Sequence, residues 1–227
     1  ARALNLDIIQ FRWNGKYPRK KQWAIENIKS SNWLLMFDAD LRATPKFISE
    51  IKNYVEQTLD VGAYCPISYR FMKKKLRFGT KVKYLGLLDR RFCVYPDVEP
   101  ENLGYGDIEF HYQPKYHGSI GRIHNSISHD DNDPLNSWVE RHNKYALYQA
   151  NLNLSYEKNV LINKHKTMRG KILAFLPFKA TFRFFYSYLI CFGFLDGRAG
   201  FRYAYLISNH YYLMHLYTRD IKTASEN

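Results

Sequence analysis

Apolar and polar positions change their period several times along this chain. Residues 6–13 read as extended, and Asn14-Gly15 is a turn pair. Pro18 opens a basic helix, RKKQWAIENIKSS, with Ala24 and Ile28 four apart and Trp23 on the same broad face. Asn32–Phe37 is a short, almost unbroken apolar run, the pattern of a central parallel strand covered on both sides. Thr44 caps the next helix with Pro45 in its first position. Phe47, Ile48, Ile51, Val55 and Leu59 form its apolar stripe. A further strand follows at Val61–Tyr69. Strand–helix–strand alternation of this kind predicts an α/β layer fold.

Beyond residue 70 the pattern loosens. A basic cluster, Lys73-Lys74-Lys75, precedes the acidic, Gly-containing run DVEPENLGYGDIEFHY. Ile120, Ile123 and Ile127 suggest extended structure leading into SHDDNDP. Asp133 and Pro134 are set to start a helix running to about residue 151. Leu135, Trp138, Val139, His142, Tyr145, Ala146 and Gln149 would make its inner side. The last third is different again. Its longest uncharged piece, Phe184–Leu195, is well short of the roughly 20 residues that cross a bilayer as a helix. Basic and aromatic residues interrupt the apolar ones throughout, which favours helices that lie in a membrane interface or pack on the core.

Composition sharpens this picture. The net charge is +13, with 34 Lys and Arg against 21 Asp and Glu, which suits an anionic membrane face, phosphorylated substrates or nucleic acid. The 19 Tyr and 15 Phe, gathered with basic residues toward one end, point to a membrane–water interface more than to DNA. The acidic strings DVEPE, GDIE and HDDND also argue against nucleic acid. Cys65, Cys93 and Cys191 are far apart and read as buried thiols of a reducing compartment.

The apolar run at residues 32–37 ends in Asp38 and Asp40. In an extended backbone these face the same way, and in open α/β sheets ligands bind beyond the carboxyl ends of strands. Two carboxylates there repel unless a cation is present; Mg²⁺ or Mn²⁺ would relieve that and grip a diphosphate. The competing reading is an Asx-turn at a helix approach. His129 and Asp130 end a second strand-like segment, where they either complete a metal or diphosphate shell or join a capping cluster with Asp131 and Asp133. Arg141 is either a donor toward a leaving diphosphate or part of an exposed helix face. Lys73–Lys75 is a solvated face or a basic loop over an acceptor phosphate. The eight histidines form no zinc quartet, and there is no phosphate-binding loop of the P-loop or Rossmann type.

WNGKYPRKKQWAIENIKSSNWLLMFDADLRATPKFISEI resembles the middle of a family 2 glycosyltransferase of the GT-A fold, nearest the lipopolysaccharide-core and capsule-type members. The segments GDIEFHYQPKYHGSIGRIHNSISHDD and PLNSWVERHNKYA resemble the acceptor side of that subgroup, and GFLDGRAGF resembles its C-terminal signature. The resemblance implies that Lys20, Lys21 and Gln22 lie on the helix preceding the DxD strand. It places Asp38 near the nucleotide and Asp40 on the metal and diphosphate. It makes Glu109 the catalytic base, with Asp107 as the alternative; His129 and Arg141 remain candidates for the metal and diphosphate contacts on the residues alone. The strand, nucleotide-binding loop and further acidic residue with which the family begins have no counterpart, so the chain reads as the latter part of such an enzyme. As it stands, it is expected to bind nucleotide poorly.

The expected fold is therefore α/β, a partial GT-A-like mixed sheet over residues 1–165, with amphipathic, aromatic-rich helices over 166–227. The expected function is metal-dependent, inverting transfer of a sugar from a nucleotide-sugar, a UDP-sugar first, to a lipid-linked or cell-envelope glycan. The expected location is peripheral, on the cytoplasmic face of the cell membrane. The alternative is an inactive, basic scaffold at a membrane surface.

Overall fold

The computed structural model describes residues 7–81, 83–96, 113–129, 133–154 and 178–226. It is a mixed α/β fold whose sheet curls into a half-barrel, followed by an aromatic-rich helical region. In chain order the elements begin with α1 (Lys20–Asn27), β1 (Trp33–Leu35), β2 (Leu41–Arg42) and α2 (Pro45–Gln57). They continue with β3 (Gly62–Phe71), β4 (Lys74–Lys75), β5 (Lys83–Asp89), β6 (Cys93–Val94) and β7 (Lys115–Tyr116). Then come β8 (Gly121–Arg122), β9 (Ile127–His129), α3 (Leu135–Leu154), α4 (Lys179–Phe185) and α5 (Gly197–Glu226). A π-helical segment, Tyr186–Ile190, and a 3₁₀ turn, Gly193–Asp196, join α4 to α5.

The main sheet has the order β1-β5-β3-β9-β2, with β4 and β8 also on β3. β5 is antiparallel to both β1 and β3, and β9 is parallel to β3. It follows that β1, β3 and β9 all run one way; β9 ends beside Tyr69, near the end of β3, whereas β1 ends level with Ala63, near its start. The expectation of a central parallel strand at 32–37 is corrected here: among the described residues β1 bonds only to β5, antiparallel. Its run is apolar because both faces are covered, as expected, but its neighbour was not legible.

A β-bulge lets β5 serve both faces. Ala63 pairs with Leu87 and Tyr64 with Leu85, so Gly86 is the extra residue. A side chain at Gly86 would collide with the Tyr84 ring, 2.6 Å away. The bulge breaks the alternation that would hold Leu85 and Leu87 on one side. Leu85 and Leu88 instead join Ile25, Leu34 and Met36 under α1. Leu87 joins Phe47, Ala63, Ile123 and Ile127 under α2. The freed Gly86 carbonyl accepts from the Met36 N–H at 2.7 Å, which carries the chain from β1 toward Asp38.

Local expectations fare unevenly. The α2 cap is present: the Phe47 N–H donates to Thr44 Oγ1 at 3.2 Å, with Pro45 first in the helix. Phe47 is fully buried, but Ile48 is 38% exposed and Leu59, beyond the helix end, is 98% exposed. Similarly, Leu135 and Val139 are exposed on α3, whereas Tyr148 and Ala150 are buried. α1 begins at Lys20, after a cis Tyr17–Pro18 bond, and stops at Asn27 rather than Ser31. Residues 7–14 form no regular strand, although the Asn14-Gly15 turn is real: Gly15 has φ +85° and the Lys16 N–H donates to Asn14 Oδ1. Burial pushes the Cys65 and Cys93 thiols up to about 11, in keeping with inert thiols. Cys191 is only half-buried, against expectation.

The helical region packs on the sheet domain through α3 and the β3–β4 hairpin. His210 on α5 donates from Nδ1 to the His142 carbonyl at 3.0 Å, and the Tyr217 hydroxyl donates to Asn143 Oδ1 at 2.6 Å. Burial, together with the Arg183 charge, lowers the His210 pKa despite its bond to His142. Below a pH of about 6.5 the unfolded chain therefore binds a proton that the folded chain refuses. Stability is expected to fall as pH drops from 7 toward 5.5, read by urea midpoints, with a flatter slope in His210→Gln. An unchanged slope in that variant would assign the pH dependence elsewhere.

Candidate functional site

The ends of β3 and β9 define one edge of the sheet, and the chain leaving β1 brings further candidate residues to it through β2. After β1 the chain makes a turn closed by the Leu41 N–H on the Asp38 carbonyl, 3.0 Å. Asp38 is thus the first residue of a turn and Asp40 the third. This differs from the extended pair that strand alternation suggests, because β1 ends three residues before Asp38. The turn delivers the chain to β2, where Leu41 pairs with His129 of β9. On its other side His129 pairs with Tyr69 of β3.

This register brings Asp40 and His129 into contact: His129 Nε2 lies 3.1 Å from Asp40 Oδ2. The two differ in exposure, with 19% of the His129 side chain and 55% of that of Asp40 open to solvent. The imidazole also packs on the Tyr69 ring at a centroid distance of 5.2 Å, and its buried Nδ1 has no hydrogen-bond partner among the described residues. Burial, followed by the charges of Tyr203, Asp40 and Asp38, pushes the Tyr69 phenol far above its ordinary value. Tyr84 is raised likewise by burial and then by Asp38, and its hydroxyl donates to the Met36 carbonyl. The two phenols near the turn therefore stay neutral, and both are half-buried.

A cavity of about 420 Å³ lies next along β3. Tyr69 and Phe71 share one face by strand alternation. His129 packs on Tyr69, while Trp138 meets the Phe71 ring edge-on at 5.7 Å. Arg70, Phe71, Lys73, Asp133, Leu135 and Trp138 contribute to its walls. Met72 and Lys73 turn the β3–β4 hairpin with φ of +49° and +65°. The volume lies within the range of small-molecule sites, and two cations over an apolar, aromatic floor suit an anionic or amphipathic ligand.

The other expected residues are placed as follows. Gln22 is buried and structural in its contacts: its Oε1 accepts the Tyr95 N–H at 2.7 Å and its Nε2 donates to Glu26 at 2.8 Å. Lys20 is exposed on α1 and Lys21 half-buried. Arg141 donates to Asp133 Oδ2 at 2.6 Å, one wall residue of the cavity. Asp107, Glu109 and Asp130 lie outside the described residues. Tyr69, Tyr84 and Arg70 were missed. Only the alternation of Tyr69 with Phe71 could have marked them.

Among the described residues no group of three His, Cys, Asp or Glu side chains is arranged to hold a metal ion. Asp40, with Asp38 in the same turn, is nevertheless an oxygen donor set of the kind Mg²⁺ and Mn²⁺ use with substrate phosphates and retained waters, which needs only one or two carboxylates. His129 Nε2, directed at Asp40 Oδ2, holds that carboxylate in place as a partner in the next shell out commonly does. No helix of the described residues is long and apolar enough to cross a membrane. Comparison of the chain with protein-family models, with curated proteins and with solved structures gives no match.

Proposed function

We propose that this chain is the acceptor-side and DxD-bearing part of an inverting, GT-A-like glycosyltransferase of family 2 type, which moves a sugar from a UDP-sugar to a lipid-linked or cell-envelope glycan at the cytoplasmic membrane surface. The observation that carries the reading is the Asp40–His129 contact, with Asp38 in the same turn, at the carboxyl ends of β3 and β9 and next to the cavity. Asp40 and Asp38 would hold a divalent cation, Mn²⁺ or Mg²⁺, which would supply charge neutralisation to a departing diphosphate. The chain's own residues do the rest. His129 fixes the Asp40 carboxylate, and the Tyr69 and Tyr84 rings keep bulk water from its inner side. Arg70 and Lys73 attract an anionic acceptor into the cavity. Glu109, or Asp107 in its place, takes the proton from the attacking hydroxyl as the new bond forms opposite the leaving group.

The test is calorimetric titration of UDP and of pyrophosphate, with and without Mn²⁺. It is made on the 227-residue chain and on one extended by a nucleotide-binding half of the family. Mn²⁺-dependent pyrophosphate binding to the chain, and Mn²⁺-dependent UDP binding to the extended form, are expected. Absence of metal-dependent binding in both forms, each shown to be folded, overturns the reading and favours the inactive membrane scaffold.

A further inference from the structure

The segment joining α4 to α5 exposes aromatic side chains that form one connected surface. Phe184 meets Phe185 and Phe201 at ring distances of 5.4 and 5.7 Å. Phe201 stacks along Tyr205, and Tyr188 links Phe201 to Phe194. Phe194 in turn meets Phe192 at 6.1 Å. Phe185, Phe192, Phe194, Phe201 and Tyr205 are all exposed, as are the adjacent Ile190 and Leu195. Surfaces of soluble chains seldom carry so large an apolar patch without a partner.

Two further observations say what the partner is. Phe192 sits at φ +58° in the left-handed region while 55% exposed. A bulky residue there is strained where glycine would not be, and its ring gains little burial within the chain. The ring is retained for something outside. Charge then selects among partners. Across residues 178–217 Asp196 is the only carboxylate, and it is buried, accepting the Arg77 and Phe78 N–H groups at 2.9 Å each. Arg198 and Arg202 are exposed beside the rings. A second copy of the chain would set cations against cations, whereas an anionic lipid surface accepts both the rings and the arginines.

We propose that this elbow, from Phe185 to the second turn of α5, docks in the interface of an anionic bilayer, with Phe192, Phe194 and Leu195 at headgroup depth. The inference rests on the reading that the chain works at a membrane surface, and it identifies the surface and its lipid. The elbow is tied to the cavity: Lys74 Nζ donates to the Asp196 carbonyl at 2.7 Å, and Arg202 reaches Met72 Sδ at the hairpin tip. Docking therefore brings the cavity wall to the membrane, where an acceptor with a lipid tail presents its polar head.

The experiment is co-sedimentation of the full chain with vesicles of phosphatidylcholine alone or with about a third phosphatidylglycerol. Phe192→Gly is the sharp variant. It relieves the backbone while deleting the ring, so its melting temperature is expected to equal or exceed that of the wild type. Its partitioning onto anionic vesicles is expected to fall roughly tenfold, the worth of one buried phenyl. Arg198→Glu with Arg202→Glu is expected to reduce partitioning by about tenfold or more and to abolish the preference for the anionic lipid. Equal partitioning of wild type and Phe192→Gly overturns the proposal. So does a concentration-dependent dimer, dissolved by Phe192→Gly, in a chain that ignores vesicles. UDP titration with Mn²⁺ on the chain extended by a nucleotide-binding half separates the two readings: nucleotide binding there without vesicle binding removes the docking and leaves the transferase, and the reverse removes the transferase.

Discussion

Gly200→Ala is expected to lower stability by about 3 kcal/mol or more and the melting temperature by roughly 6–12 °C. A Cβ at Gly200 falls within contact of the Gly193 carbonyl oxygen and 3.0 Å from both Gly193 C and Asp196 Cβ. Two of these are backbone, which cannot rotate away as a side-chain tip can. Gly193 is itself pressed, since a Cβ there would stand 2.7 Å from the Ser187 carbonyl oxygen. The π segment, the 3₁₀ turn and the first turn of α5 therefore meet with no room for a methyl group at either contact. Asp196 anchors the same knot to the sheet domain through the Arg77 and Phe78 N–H groups. Opening the knot strands the buried Asp196 carboxylate, which adds about 1–3 kcal/mol to the overpacking cost. Gly197, with φ +61°, completes the turn in a conformation that a side chain would strain. Arg198→Ala, on the exposed side of the same turn, is the control and is expected within about 0.5 kcal/mol of wild type. Calorimetric melting of both variants decides it. A Gly200→Ala midpoint within about 2 °C of wild type would mean that the knot is not tight.

That knot shows where sequence reasoning reaches its limit. Nothing in the string GFLDGRAGF says that its aspartate is buried or that two of its glycines are contact points rather than hinges. The same divide runs through the sheet domain. The Thr44-Pro45 cap, the buried Phe47 and the strand at 62–71 were legible because they depend on residues close in sequence. The neighbour of β1 was not, because it is set by the Gly86 bulge, and an isolated glycine says only that something approaches closely. The apolar stripe of α2 over-reached at Ile48 and Leu59 because periodicity describes a helix face and not the width of the surface covering it.

At the site, Asp38 and Asp40 stood out as a pair on their own spacing, and His129 as a strand end. Their meeting depends on the pairing of β2, a strand of two residues, with β9, which no pattern announces. The carboxylate pair was correctly located at a strand's carboxyl edge, but for a different backbone reason: a hydrogen-bonded turn, not an extended dipeptide. Gln22 carries a family resemblance and also has a sufficient local role, holding the Tyr95 backbone to α1. Gln22→Ala is thus a poor probe of catalysis, since it strands a buried donor whatever the chemistry.

Asp40 and His129 are better probes, and they are expected to act as a unit. In the extended enzyme, Asp40→Ala is expected to cut UDP release from a UDP-sugar by about two to three orders of magnitude, the scale seen when one group facing developing charge is removed. His129→Ala keeps both carboxylates but frees the Asp40 side chain, which is 55% exposed and whose contact to a side chain of β9 is the 3.1 Å bond to Nε2. A loss of about 10- to 100-fold in Mn²⁺ affinity is expected, with a smaller loss at saturating metal. The physical reason is entropic: an exposed carboxylate must be ordered before it binds a cation, and His129 does that ordering beforehand. Once Asp40 is gone, His129 has nothing to order, so the double variant is expected to match Asp40→Ala alone. Additive losses would mean that His129 contacts cation or diphosphate by itself, through the Nδ1 that is buried without a partner here or after a ring rotation. Wild-type turnover that neither substitution alters would move the chemistry away from the carboxyl ends of β3 and β9 altogether.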